Sequence, residues 1–324
     1  MAYETGSATD ITDLMEKLFT FASLNGWTID SAFASLQGAM HKNNSYLSFY
    51  DVSPLLKIFT ARGYTALGNP GTHLDSLDSS GTLTNSGKRV SHLVGPFPSY
   101  FFFEDDNYIH VVVESSTDVF RHFGFGEMVK VGNWAGGEYA YGHHVSTGSA
   151  EYSVSANENC YPFDAGRLAS VGTTQNFSFW GEDNSAAALP GSRSAASRWN
   201  VTIGPSTPAN DADGNVMNNL LITGIDGGAF GPLYSIGASM HNGFLGLHPI
   251  HAMLWDRTVS PTSAYLMGSV PDVRVVNTGG LVDKQEYIID ADTWVTFPTG
   301  RKGAQTGTEE RCNHNGLAYK KIVA

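Results

Sequence analysis

The chain has 324 residues, a net charge of −12, only 15% charged residues, 12% aromatic residues and 36 glycines. It is long enough for two domains and an aromatic-rich core, since each ring buries a large area. The 19 Lys and Arg form no block or stripe, which argues against a nucleic-acid partner. No run approaches the roughly 18 apolar residues of a membrane span.

The first residues, MAYETGSATD, carry no basic segment leading into an apolar run, so no signal peptide is expected. Asp10 then reads as the N-cap of a helix, with Asp13 near the positive end of its dipole. Ile11, Leu14, Met15, Leu18, Phe21 and Ala22 recur at helical spacing and make one apolar face. Asn25-Gly26 is a stop signal, and Trp27-Thr28-Ile29 reads as a strand entering the same core.

Tyr46 to Tyr50 is predicted as a strand, and Leu55 to Thr60 as a short strand or helical turn. Ser76 to Lys88 has loop composition. The clearest strand signal is a hairpin, Tyr100 to Phe103 and Tyr108 to Val113 around Glu104-Asp105-Asp106-Asn107. Both faces of its second strand are apolar, so that strand is expected to be central and covered on both sides. Phe120 to Val131 continues as a strand, with Gly124 and Gly126 marking a bulge or a close backbone approach.

From Gly132 to Pro208, Gly, Ser, Ala and Asn dominate. Trp134, Tyr139, Tyr141, Tyr152, Tyr161, Phe177, Phe179, Trp180 and Trp199 stand there without sustained periodicity. The expectation is long loops whose rings are covered by a neighbouring subunit, the alternative being that they fold under as a local cluster within the chain. Pattern returns at Leu220 to Ile225. A hairpin follows, Glu286 to Ile289 and Trp294 to Phe297 around Asp290-Ala291-Asp292, and Leu317 to Val323 is a final strand. The fold class is therefore α+β, mostly β. A short N-terminal helix packs on an antiparallel sheet (residues 1–135), and a β-rich region with long loops follows (residues 136–324).

Chemical motifs are weak. Gly81 to Gly87-Lys88-Arg89 has one residue too many between its glycines for a phosphate loop, and Arg89 stands where Ser or Thr would hold magnesium. His248 and His251 are three apart around Pro249, with no Glu at a zinc-protease spacing; His143-His144 is the other histidine pair. Asp211, Asp213 and Asn215 begin like a calcium loop, but Gly214 comes two places early and no Glu ends it. The pairs Asp105-Asp106 and Asp290/Asp292 fall at turns, where Asp is favoured for backbone reasons. Cys160 and Cys312 give neither a disulfide framework nor a zinc spacing; free thiols are expected, and pairing stays open. No catalytic, cofactor-binding or metal-ligating residue is assigned, and the chain reads as a non-enzyme without cofactors.

Two stretches resemble a known group. Ala2-Tyr-Glu-Thr-Gly-Ser-Ala-Thr-Asp10 leads into the helix and Gly26-Trp27-Thr28. Pro98-Ser-Tyr-Phe-Phe-Phe, Tyr108-Ile-His-Val-Val-Val-Glu-Ser-Ser and Phe120-Arg-His-Phe-Gly-Phe-Gly126 follow. In order over residues 1–135, they resemble virion structural proteins of tailed bacteriophages, of the kind associated with tails and baseplates. Val270-Pro-Asp-Val-Arg274, Trp294-Val-Thr-Phe-Pro298 and Gly316-Leu-Ala-Tyr-Lys-Lys321 are similar in style; residues 136–220 carry no such likeness. The resemblance implies a structural or adaptor subunit of a tail or baseplate, located in the virion. Its partners would be other virion proteins and copies of itself. The low charge agrees, because interface cores are depleted in charge and enriched in aromatics. The alternative is a receptor-binding or tail-fibre protein that recognises a bacterial surface glycan. A polysaccharide-degrading tail enzyme is a third reading.

Overall fold

The computed structural model describes residues 2–53, 55–61, 63–64, 66, 88–91, 93–143, 162, 177–182, 198–202, 209–210, 216–217, 220–223, 246–256, 263–301 and 315–322. Within them the chain is mostly β, with one helix and antiparallel sheets. β1 (Ala2–Ala8) leads into α1 (Ile11–Leu24). β2 (Thr28–Ala34), β3 (Gln37–Lys42), β4 (Ser45–Val52), β5 (Leu55–Ala61) and β6 (Lys88–Ser91) follow and form a meander. Next come β7 (Phe97–Asp105), β8 (Tyr108–Ser116), β9 (Val119–Glu127), β10 (Val129–Lys130), β11 (Ala135–Gly142), β12 (Phe177–Glu182) and β13 (Arg198–Thr202). β14 (Ala209–Asn210) pairs with β15 (Val216–Met217). The remaining strands are β16 (Leu220–Thr223), β17 (His248–Asp256), β18 (Ser263–Asn277), β19 (Glu286–Ile289), β20 (Asp292–Pro298), β21 (Gly300–Arg301) and β22 (Asn315–Lys321).

Three sheets stack in layers. The central sheet runs β1-β7-β8-β9-β11-β12-β13, with β21 also paired to β9. One of its faces packs on α1 and the β2–β6 meander. The other packs on a flanking sheet ordered β16-β17-β18-β22-β20-β19, to which β10 adds along β18. The central sheet continues across position 135, where two units were expected to divide: β11 pairs with β9 on one side and β12 on the other.

The helix is capped as its sequence predicts. Asp10 is extended (φ −160°, ψ −176°) and its carboxylate accepts the Asp13 N–H at 2.9 Å. Asp13 in turn accepts the Thr9 N–H at 2.8 Å and pairs with Lys17 one turn on. Asn25 closes the other end, its side chain donating to the Phe21 carbonyl at 2.8 Å. Leu14, Met15, Leu18 and Ala22 are fully buried. They meet Ile109, Val111 and Val113 of β8 in one cluster, and Phe21 packs on Phe102 at 5.4 Å between ring centroids. Strand alternation sends Tyr108, His110 and Val112 to the opposite face. β8 is thus central and covered on both sides, as its two apolar faces predict.

The reading of residues 132–208 needs correction where they are described. β11 and β12 are strands, and Trp134, Tyr139, Tyr141, Phe177 and Phe179 are buried within the chain rather than waiting for a neighbour. Their cover comes from Ile250, Met267, Val270, Val273 and Leu317 of the flanking sheet. The alternation was masked because inward rings alternate with Ala140, Gly142 and Ser178 rather than with charged residues. The side chains of Trp180 and Trp199, and Tyr152 and Tyr161 altogether, lie outside the described residues, as does the loop expected at Ser76 to Gly87.

Candidate functional site

The most concentrated polar chemistry among the described residues lies between the central sheet and the flanking sheet. It is built by strand alternation. β8 points His110 inward beside Tyr108 and Val112; β9 points His122 inward beside Phe120; β11 points Tyr139 and Tyr141 inward, and buried His143 follows its end. β22 supplies Tyr319 from the other side, stacked on His122 at 5.8 Å between centroids. His110, His122, His143, Tyr139, Tyr141 and Tyr319 are all fully buried.

Four of these side chains form a bonded chain. Tyr141 Oη lies 2.9 Å from His110 Nδ1, Tyr319 Oη lies 2.8 Å from His122 Nδ1, and the two hydroxyl oxygens are 3.5 Å apart. At each end the other ring nitrogen faces a carbonyl: His110 Nε2 is 2.8 Å from Pro271 O, and His122 Nε2 is 2.9 Å from Pro298 O. A carbonyl oxygen can only accept, so each Nε2 carries the proton. In a neutral ring Nδ1 is then an acceptor, and Tyr141 and Tyr319 each donate their hydroxyl proton to it. Burial holds both imidazoles down to about 3, so they are neutral near pH 7. Burial likewise pushes the Tyr141 and Tyr319 phenols far up, so both stay protonated.

Two glycines make the arrangement possible. A Cβ on Gly124 would stand 2.6 Å from both His110 Nδ1 and the Tyr141 ring. Gly126 has φ +140°, and a Cβ there would stand 2.2 Å from the Asn107 carbonyl. Both fall where glycine inside the strand pattern predicts a close backbone approach.

A second contact between the sheets joins Tyr108 of β8 to Asp272, at 2.8 Å. Asp272 sits in β18 at φ +47°, within a kink where β18 slips register against β17. The same kink presents the Pro271 carbonyl to His110.

The candidates singled out from sequence lie elsewhere. His248 and His251 are half-buried on β17, on either side of the register slip. Asp105 and Asp106 lie at the β7–β8 turn, and Asp290 and Asp292 at the β19–β20 turn, where Asp290 adopts φ +54°. Lys88 opens β6, while Gly81, Gly87, His144, Asp211, Asp213, Asn215, Cys160 and Cys312 lie outside the described residues. Among the described residues, no three His, Cys, Asp or Glu side chains are grouped to hold a metal, and no helix is long and apolar enough to cross a membrane. Of the bonded chain, His110, His122 and Tyr319 were not singled out from sequence as polar partners. The available signal was a histidine at an inward position of an otherwise apolar strand.

No protein-family model matches the chain, and no curated protein matches it.

Proposed function

We propose that the chain is a structural or adaptor subunit of a bacteriophage tail or baseplate, acting through contacts with other virion proteins and with copies of itself. The observation that carries this reading is how the buried polar side chains are used. His110, Tyr141, Tyr319 and His122 are committed to fastening two β-sheets face to face, which makes a stiff three-layer body. Such a framework suits a part that bears load and presents surfaces. Low charge and the virion-like texture of residues 1–135 support the same reading. So do exposed apolar side chains on and beside β10, Val129 (59% exposed) and Val131 (50%), the latter with its N–H bonded to the Met267 carbonyl of β18.

The test is peptide mass spectrometry on purified tailed particles from cells that produce the chain, followed by a density map of those particles. The expected result is stoichiometric protein at symmetric positions in the tail or baseplate. Purified particles free of the chain would overturn the proposal.

A further inference from the structure

Two places on the surface set exposed apolar side chains beside a charge that no described residue answers. The first is the end of the β2–β6 meander nearest the start of α1. Ser35 and Leu36 turn the chain there with φ +50° and +68°, a backbone that suits Asn-Gly and strains a leucine. Leu36 is 52% exposed, so its side chain gains little from the chain's own core. Its carbonyl accepts the Asp51 N–H at 2.8 Å, which sets Leu36 opposite Asp51. Val52, the next residue, is 40% exposed. Burial and the nearby Asp10 carboxylate raise Asp51 above the usual carboxylate range. A Cβ on Gly95 would stand 2.8 Å from the Asp10 Cα, and its neighbour Val94 is 60% exposed. Asp10 and Asp51 bond only to Thr9, Asp13 and Ser53, while Lys17 goes to Asp13, so neither has a described cation.

The second place is β10, in the flanking sheet. Val129 and Val131 are exposed, and Lys130 stands between them. The Lys130 ammonium is held by the Trp134 and Gly136 carbonyls, at 3.3 and 3.0 Å, and by no described carboxylate. The meander and the flanking sheet cover opposite faces of the central sheet, so the two places belong to opposite outer layers.

We infer that copies of this chain join head to tail, with the Leu36, Val52 and Val94 end of one copy seated on the β10 edge of the next. The inference rests on the assembly role proposed above and names the contact that serves it. Charge decides the occupant. The meander end set against its own copy would gather four carboxylates, Asp10 and Asp51 from each side. β10 against itself would bring two Lys130 ammonium groups together. Set against each other, the two places match acid with base around a centre of apolar side chains, which is how protein interfaces are arranged.

A contact between two different surfaces repeats from copy to copy. It closes into a ring or runs on as a filament, according to the rotation it imposes. Each contact is small, so it acts where copies are already concentrated, as they are along a symmetric particle. The strained turn fits this use, since Leu36 projects from the tip of a hairpin rather than toward the core.

Sedimentation of the purified full chain over a range of concentrations tests this with two variants. Leu36→Asp blocks the meander end, and Asp tolerates the left-handed backbone there. Val131→Asp blocks the β10 edge and keeps the backbone bond to Met267. The parent should form a concentration-dependent series of oligomers that added salt weakens. Each variant alone should stay monomeric, with a thermal midpoint near the parent's. Mixed in equal amounts, the two should give dimers and nothing larger, because each brings one intact surface. A parent that stays monomeric, oligomers indifferent to salt, a variant that assembles alone, or a mixture that stays monomeric would each overturn the inference. Should a variant unfold, carbodiimide coupling of isotopically mixed parent copies decides alone. It should join Lys130 of one copy to Asp10 or Asp51 of another, and the absence of that link would overturn the contact. Particles that contain the chain while the free chain stays monomeric would sink the head-to-tail contact and leave the assembly role standing. Particles without the chain would sink that role itself.

Discussion

Tyr108 donates its hydroxyl to Asp272 across 164 positions of sequence, at 2.8 Å, and the acceptor stands at φ +47° in the middle of a strand. The bond and the kink support each other: the kink brings Asp272 to the central sheet, and the bond holds a backbone conformation that costs on the order of 1–3 kcal/mol for most residues. Asn tolerates the left-handed region and offers an amide oxygen in the same place, so Asp272→Asn should change stability by less than about 1 kcal/mol. Asp272→Val loses the acceptor and adds a β-branched side chain at positive φ. It should cost about 2–4 kcal/mol, the two penalties taken together. Chemical denaturation of both variants measures the difference, and equal costs would show that neither the conformation nor the bond matters.

Acid should weaken the fold before the carboxylates titrate. His110 and His122 are held at about 3 in the folded protein against an ordinary 6.5. As pH falls below about 6.5 the unfolded chain binds protons that the folded one does not, so stability drops down to about pH 3. The sign is that of folded values lying below unfolded ones. Each ring contributes a slope of about 1.4 kcal/mol per pH unit within that window. Denaturant midpoints at pH 7, 6, 5 and 4 give the slope, and a midpoint flat from 7 to 5 would mean the rings are not buried neutral.

Gly124→Ala should be destabilising by about 1–3 kcal/mol, the range for overpacking a filled core. The added methyl meets His110 and Tyr141 at 2.6 Å, and neither can retreat without giving up its hydrogen bond. Thermal unfolding reads the effect. A variant as stable as the parent would show that the His110–Tyr141 contact is looser than drawn.

Leu18 is fully buried between the helix and the central sheet. Leu18→Ala should cost about 2–5 kcal/mol, with the helix cap intact. Urea titration gives the loss, and a change below about 1 kcal/mol would place Leu18 outside the core.

The helix, its cap and the β7–β8 hairpin were legible because local rules write them. Asp10, the spacing of Leu14 and Leu18, and the polar turn at Asp106-Asn107 each act within a few residues. β11 was not legible, because the positions next to its rings carry the small residues Ala140 and Gly142, so that Tyr139 and Tyr141 read as isolated rings, although Ala140 is itself buried on the helix side of the sheet. The buried polar chain was less legible still. Tyr141 and Tyr319 are separated by 178 positions, and His122 and Tyr319 by 197, so only the assembled sheets bring them together. The kink at Asp272 has no sequence signal beyond Pro271, since it depends on a partner in another sheet.

The position of β22 constrains how the protein can be made. It pairs with β18 on one side and β20 on the other, although both are synthesised earlier. Until residues 315–321 leave the ribosome, the flanking sheet has an open slot with two bare strand edges, an arrangement that invites pairing with other chains. The same late strand delivers Tyr319 to His122. A nascent chain stalled before residue 315 would therefore carry His122 without its tyrosine partner and two half-sheets without their seam.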